Sequence, residues 1–124
     1  MENSNGNQRL GQLGESAACG YLLSIGHVIL ERNYRSPYGE IDIISLEGDR
    51  TVFTEVKTRS ALPQNSRYGR ASSAVTAGKK ESFLMTARCY QKERPDSMRC
   101  RVDVIEVYIV GDEKPVIKHI RSAF

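Results

Sequence analysis

The sequence predicts a single α/β domain with the element order α-β-β-β-α-β-β. Two segments with the apolar spacing of helices alternate with runs rich in β-branched residues, a pattern typical of helices packed on a sheet. A chain of 124 residues has the size of one domain with one core. Hydrophobic residues make up 40% and charged residues 27%, which excludes a wholly disordered chain. We expect residues 1–7 to form a flexible polar lead-in and residues 8–124 to form the domain.

The first helix is predicted from Gln8 to Ile25. Apolar residues in this segment recur at the spacing of one helical face, although its glycines lower the helix propensity. The same glycines would allow a neighbouring element to pack closely against the helix. Gly26 is predicted to end the helix, because glycine readily adopts the backbone conformation that follows a helix C-terminus. A short strand is expected next, from His27 to Asn33.

The next two strands are predicted to form a hairpin within residues 39–59. Both are rich in Ile, Val, Thr and Phe, and they flank the dipeptide Gly48-Asp49. Glycine in the first of two turn positions suits a type II′ turn.

The two-residue turn sets the register of this hairpin. Asp42 is then expected directly opposite Glu55, and Glu40 directly opposite Lys57. Because side chains alternate faces along a strand, these four should share one face of the sheet. The opposite face is expected to carry Ile41, Ile43, Thr54 and Val56.

The second half of the chain is predicted to contain one helix and two strands. A polar loop is expected from Ser60 to Ser73, followed by a helix from about Ser72 to Lys92. Its apolar face is defined by Val75, Phe83, Ala87 and Tyr90. The last two strands are expected at Met98–Val110 and Val116–Ile120.

The opposed acids of the hairpin predict a metal site. Two carboxylates directly across an antiparallel pair repel each other, and a divalent cation between them would relieve that repulsion. Mg²⁺ commonly binds one or two carboxylates and keeps its other positions for water and substrate phosphate. Asp42 and Glu55 supply these ligands, and the Lys57 ammonium could orient a water or stabilise charge on a phosphate. The alternative is a solvated strand face with an ordinary ion pair, and we expect Glu40 to pair with Lys57.

The charge of the chain is unevenly distributed. The total is only +3, but residues 56–101 hold eleven basic and three acidic residues, a net charge of +8, and the remainder carries −5. A basic segment of this kind can bind a phosphate backbone. The candidate phosphate contacts are Arg59, Arg67, Arg70, Lys79 and Lys80. Tyr68 could stack on an unpaired base.

These residues resemble a known nuclease signature. Asp42, thirteen residues before Glu55-Val56-Lys57, resembles the D…ExK motif of the restriction-endonuclease-like superfamily, with Ile41 in place of that motif's proline. Nearly the whole chain resembles the small, functionally uncharacterised bacterial YraN-like family. The resemblance runs through LGESAACGYL, GEIDII, FTEVKTR, RVDVIEV and IKHIRSAF. It implies a restriction-endonuclease-like fold with a central mixed β-sheet flanked by helices.

The resemblance extends to archaeal Holliday-junction resolvases and implies a function. The chain would be a Mg²⁺- or Mn²⁺-dependent endonuclease that acts on DNA, with branched structures as one substrate class. Glu15 on the first helix matches a glutamate that joins the strand acids, and the Val56 carbonyl would be a third metal ligand. A homodimer is implied for two-fold cleavage of a junction. The alternative is a nucleic-acid-binding module that keeps the nuclease fold without turnover, in a repair or recombination complex.

The cysteines, the histidines and Asp103 predict no further catalytic or metal site. The three cysteines, Cys19, Cys89 and Cys100, form no CxxC pair, and neither a signal peptide nor a membrane span is evident. We therefore expect a cytoplasmic protein with reduced cysteines. His27 and His119 are expected to be structural. Asp103 is an acid within a predicted strand, and we expect its carboxylate to bind a backbone group or an arginine. The alternative is that it supports the metal site indirectly.

Overall fold

The computed structural model describes residues 2–60 and 77–124, which form the predicted order of elements. Two helices and five strands follow one another, with a short 3₁₀ helix at Pro95–Ser97. Their bounds are α1 Glu2–Ser24, β1 Val28–Ser36, β2 Gly39–Glu47, β3 Arg50–Arg59, α2 Ala77–Glu93, β4 Cys100–Tyr108 and β5 Val116–Ile120.

The five strands form one mixed sheet in the order β1-β2-β3-β4-β5. The three pairs β1–β2, β2–β3 and β4–β5 are antiparallel. The pair β3–β4 is parallel and runs from Thr51 opposite Cys100 to Arg59 opposite Tyr108. Parallel neighbours require a crossover connection, and α2 lies in that connection. The predicted α/β class and element order are confirmed.

Each face of the sheet is covered by one helix. Phe83, Ala87 and Tyr90 of α2 pack with Ile44 and Phe53 on one face, which we call the α2 face. On the other face, the α1 face, three residues of α1 pack against strands β2 and β4. These core residues are Ala18, Cys19, Leu22, Ile43, Ile105 and Val107. Within the described residues, no helix is both long and apolar enough to cross a membrane.

The first helix ends where the sequence predicts. Gly26 has a φ of +96°, and its N–H donates to the Leu23 carbonyl at 3.1 Å. The N–H of His27 donates to the Leu22 carbonyl at 2.9 Å, which completes a Schellman motif. The helix begins at Glu2, six residues before the predicted start at Gln8.

One glycine of α1 permits close packing, as predicted. A β-carbon on Gly14 would lie 1.8 Å from Oγ1 of Thr58 in β3, so α1 can approach β3 only because position 14 has no side chain. No atom lies within 4 Å of a β-carbon built at Gly11 or Gly20, so close packing is wrong for those two positions.

The β2–β3 hairpin has the predicted turn. Glu47 pairs with Arg50 across Gly48-Asp49. Gly48 has a φ of +60°, and Asp49 is not among the residues with positive φ, as a type II′ turn requires.

Several predicted bounds differ from the structure. β1 continues to Ser36 rather than Asn33 because its last residues pair with β2 as far as Gly39. β4 is shorter than predicted, and β5 has the predicted bounds. α2 ends at Glu93, while the predicted loop from position 61 and the predicted helix start lie outside the described residues.

Candidate active site

A cleft of about 270 Å³ opens on the α2 face beside the N-terminal end of α2. Its walls include two acids and two lysines, Glu40, Glu55, Lys57 and Lys79, together with the rings of Phe83 and Phe124. Strands β2 and β3, helix α2 and the C-terminal segment therefore meet at one concave site. Two of the predicted catalytic residues, Glu55 and Lys57, line it.

Asp42 lies where β2 and β3 separate. The hydrogen-bonded register of the hairpin ends at Ile43 and Thr54. Beyond that point the Asp42 carboxylate accepts a hydrogen bond from the backbone N–H of Val56 at 2.8 Å. The predicted direct cross-strand pair of Asp42 and Glu55 is therefore wrong in detail. Repulsion between two carboxylates disfavours that pairing. The Asp42 carboxylate accepts the hydrogen bond from the Val56 backbone instead.

The faces of β2 also differ from the prediction near Asp42. Ile43 packs on the α1 face, but Ile41, two residues earlier, packs on the α2 face. Residues two apart share a face in a regular strand, so the alternation is interrupted at Asp42. The neighbouring strand is irregular too, because Asn33 in β1 has a φ of +54°.

The acids at this end of the sheet act on one another electrostatically. Burial, followed by the negative charges of Glu55, Glu15 and Glu40, raises the pKa of Asp42 to about 7, although the hydrogen bond from the Val56 backbone opposes the shift. Burial also raises the pKa of Glu55, although nearby Lys57 and Lys79 oppose that shift. The charges of the predicted acids therefore influence one another, and two of these carboxylates, Asp42 and Glu55, come from adjacent strands.

Glu15 reaches this environment from α1. Burial raises its pKa, and its charge acts on both Asp42 and Glu55. Its Oε1 lies 3.9 Å from the guanidinium of Arg32, and it forms a side-chain hydrogen bond with Asn33. No pattern in the sequence indicated these two residues of β1, which lie in the irregular part of the strand and contact Glu15.

The partner predicted for Glu40 is wrong. Its carboxylate pairs with Arg35 at 2.8 Å rather than with Lys57. Arg35 and Glu40 are cross-strand partners in the β1–β2 register, so their side chains meet directly. Glu40 still lines the cleft that contains Lys57.

The candidate phosphate contacts fall into three groups. Lys79 lines the cleft and is exposed. Lys80 lies with its Nζ 5.8 Å from the centre of the Phe124 ring, and Arg59 is half-buried at the end of β3. Arg67 and Arg70, like Tyr68, lie outside the described residues.

The residues present fit a divalent cation that is completed by substrate and water. In residues 2–60 and 77–124, no three acidic, histidine or cysteine side chains form a group that could hold a metal ion. Asp42 and Glu55 supply two carboxylates, and the hydrogen bond from Val56 places its backbone beside Asp42. Two carboxylates are the number that Mg²⁺ commonly takes from a protein at phosphate-processing sites.

A second polar cluster lies on the α1 face, outside the cleft. Asp103 accepts hydrogen bonds from Arg101 and from the Ser122 backbone, which confirms its predicted arginine and backbone partners. His119 bonds Asp103 at 2.7 Å and Tyr21 at 2.9 Å, and His27 bonds Ser45 at 2.9 Å. These bonds agree with structural roles for both histidines.

One protein-family model matches most of the chain. The model of the uncharacterised protein family UPF0102 matches residues 14–107, a range that contains every predicted catalytic residue. A protein from Rhodococcus opacus (strain B4) named "UPF0102 protein" is 41% identical over 119 residues, covering 95% of this chain and 98% of that protein.

Relatives from other bacteria are similar over the same span. A "UPF0102 protein" from Trichlorobacter lovleyi is 40% identical over 121 residues, covering 96% of this chain and 92% of the relative. Another from Clostridioides difficile (strain 630) is 42% identical over 119 residues, covering 95% and 98%. The family resemblance drawn from the sequence is thereby confirmed.

Proposed function

We propose that this chain, which belongs to the uncharacterised protein family UPF0102, is a divalent-metal-dependent endonuclease that hydrolyses phosphodiester bonds in DNA. The single observation that carries the proposal is that the Asp42 carboxylate bonds the backbone of Val56, the residue between Glu55 and Lys57, whose side chains line one cleft. These residues resemble the D…ExK signature and lie on a central mixed sheet flanked by helices, the architecture that the resemblance to the restriction-endonuclease-like fold implies.

The metal would be held by Asp42, Glu55 and the Val56 carbonyl. Bound Mg²⁺ or Mn²⁺ would supply Lewis-acid stabilisation of a phosphate oxygen and activation of a water. Glu15 would complete the acid cluster, either directly or through a water molecule. The hydrogen bond from Val56 to Asp42 limits the freedom of that carboxylate, which favours a prearranged ligand.

Lys57 and the basic residues would act on the nucleic acid. The Lys57 ammonium lines the cleft beside Glu55, where it can orient a water or stabilise charge that develops on the phosphate. Lys79, on the opposite wall, would bind a backbone phosphate together with Lys80, Arg59, Arg67 and Arg70. The net charge of +8 in residues 56–101 supports a polyanionic substrate.

Branched DNA is the substrate class that the resemblance favours. Symmetric cleavage of a four-way junction needs two active sites, so the proposal includes a homodimer, which the molar mass in solution would test.

All three cysteines are free, which supports the cytoplasmic location inferred from the sequence.

The decisive experiment incubates linear, flapped and four-way-junction DNA with purified protein and Mg²⁺ or Mn²⁺. Asp42→Asn and Lys57→Ala should abolish cleavage while DNA binding persists. Asp49→Asn is the matched control, because Asp49 is an exposed acid of the same hairpin that pairs with Arg99. We expect this variant to cut as the wild type does, and EDTA should stop all cleavage.

Two outcomes would contradict the proposal. If the wild-type protein binds junctions but cuts no substrate with either metal, the chain is a binding module with a nuclease fold. Cleavage that persists unchanged in Asp42→Asn would come from a contaminant or from another site.

A further inference from the structure

Glu106 of β4 is a buried carboxylate next to Lys57. Its exposed fraction is 0%, and the parallel β3–β4 register pairs it with Lys57. Phe53 of β3 and Val102 of β4 both pack on the α2 face. Because side chains alternate along each strand, Lys57 and Glu106 project from that same face.

Among the described residues, only one of the two Glu106 oxygens has a hydrogen-bond partner. The hydroxyl of Tyr108 donates to Oε1 at 2.7 Å, whereas Oε2 has no partner among the described residues. A buried, incompletely paired carboxylate is costly unless a positive charge or a donor is close. The position of Glu106 therefore calls for a cation on the α2 face.

Two lysines flank Glu106 in the sheet, and they differ in their surroundings. Lys118 pairs with Glu106 from β5 and is exposed, so water screens its charge. Lys57 is half-buried and lines the cleft, where screening is weaker. The structure thus favours Lys57 as the cation that compensates Glu106.

We propose that Glu106 is a positioning residue for Lys57, an inference that rests on the nuclease function proposed above. Lys57 follows Glu55 by two residues in its own strand, where its charge acts on Glu55, and it is paired in register with Glu106 of the next strand. Attraction from both sides restricts the lysine side chain to the row of the sheet that faces the substrate. Glu106 does not line the cleft, so it acts through Lys57 and does not contact the phosphate.

The test is a double-mutant cycle on the unfolding equilibrium, which requires no nuclease activity. Lys57→Met, Glu106→Gln and the double variant are compared with the wild type by urea denaturation at pH 7. We expect the unfolding equilibrium constants to depart from additivity by about fivefold or more. The matched control is the cycle of Glu106→Gln with Lys118→Met, which should be additive within about twofold.

A kinetic measurement separates positioning from a purely structural role. If the nuclease proposal holds, Glu106→Gln should lower kcat by about tenfold and leave KM unchanged, because Lys57 would still be present but less well oriented. Glu106→Asp, which keeps the charge, should recover part of that loss. Unchanged kcat in Glu106→Gln would overturn the positioning role in an enzyme that cleaves DNA.

The two proposals fail in different ways. Absence of cleavage by the wild type contradicts the nuclease function but leaves the Lys57–Glu106 cycle readable. An additive Lys57 cycle, or coupling as strong with Lys118, overturns the inference whether or not DNA is cut. If Glu106→Gln does not fold, Tyr108→Phe takes its place, because it removes the hydroxyl that donates to the Glu106 carboxylate. Additivity of Tyr108→Phe with Lys57→Met then overturns the inference.

Discussion

A β-carbon built on Gly14 of α1 would lie 1.8 Å from Oγ1 of Thr58 in β3. This contact fixes the distance between the first helix and the sheet at the residue directly before Glu15. Thr58 is β-branched, so its side chain has few alternative rotamers with which to make room. The position of Glu15 beside the strand acids therefore depends on a glycine rather than on a polar contact alone.

Gly14→Ala is expected to lower the free energy of unfolding by about 1–3 kcal/mol, because the added methyl group overpacks the contact with Thr58. Urea denaturation measures the change. Gly11→Ala and Gly20→Ala are the matched controls, since a β-carbon at either position meets no atom within 4 Å. Both controls should raise stability by up to about 1 kcal/mol through helix propensity. Stabilisation by Gly14→Ala as well would contradict the close approach.

The fold was largely predictable because local signals agreed with the tertiary arrangement. Gly26 marks the end of α1 in the sequence. The two-residue turn Gly48-Asp49 predicts the β2–β3 register correctly as far as the pair of Ile43 and Thr54. The end of that register was not predictable, because it depends on the Asp42 carboxylate accepting the Val56 N–H. Such a side-chain bond competes with the ladder only once the strands are assembled.

Two features of the site depend on how neighbouring elements align and pack, not on the pattern within one segment. The partner of Glu40 is Arg35 because β1 extends beyond its predicted end and aligns the two residues. Glu106 is one acid in a strand of alternating residues, and its burial depends on the elements that cover the α2 face. Periodicity within one segment cannot reveal either relationship.

The buried cluster around Asp103 predicts a pH-dependent stability. Burial alone would raise the pKa of Asp103, but hydrogen bonds from His119, Arg101 and the Ser122 backbone outweigh it and lower the pKa to about 2. A carboxyl whose pKa is lower in the folded state stabilises the fold above its unfolded pKa of 3.8. The contribution is about 2 kcal/mol and is lost as pH falls from about 5 to 2.

Asp103→Asn should therefore lower the free energy of unfolding at pH 7 by about 3 kcal/mol, because it also leaves the Arg101 guanidinium without its buried carboxylate. Urea denaturation at several pH values should show the gap to the wild type narrowing as pH falls below 5. The surface pair of Asp49 and Arg99 provides the control. Asp49→Asn should change stability by less than about 1 kcal/mol, and an equal effect of both variants would refute the prediction.

Lys79 is predicted to contact a backbone phosphate, because it is exposed on the wall of the cleft that contains Glu55. Lys79→Ala should weaken DNA binding severalfold without metal and reduce the slope of log K against log salt by about 1. Fluorescence anisotropy over a range of salt concentrations measures both quantities. Lys114→Ala is the matched control, since Lys114 is an exposed lysine beside Ala17 and Tyr21 of α1. Equal slopes for the two variants would exclude a specific role for Lys79.

Asp42→Asn is predicted to stabilise the protein in the absence of metal, the opposite of the effect at Asp103. Burial and the charge of Glu55 raise the pKa of Asp42 to about 7, so ionisation of this group opposes folding as pH rises from 4 toward 8. Asparagine removes that charge and keeps an oxygen that can accept the Val56 N–H. The free energy of unfolding at pH 8 should rise by more than about 1 kcal/mol, and the difference from wild type should vanish near pH 4.

The Asp42 prediction has a second arm in added metal. Mg²⁺ or Mn²⁺ should raise the Tm of the wild type, because a cation that binds only the folded state stabilises it, whereas Asp42→Asn should show a much smaller rise. Thermal unfolding in EDTA and at increasing metal concentration measures both effects. Destabilisation by Asp42→Asn at pH 8 without metal would mean that this carboxylate supports the fold. Stabilisation without metal, combined with loss of the metal response, is the behaviour expected of a ligand held beside a second acid for function at the expense of stability.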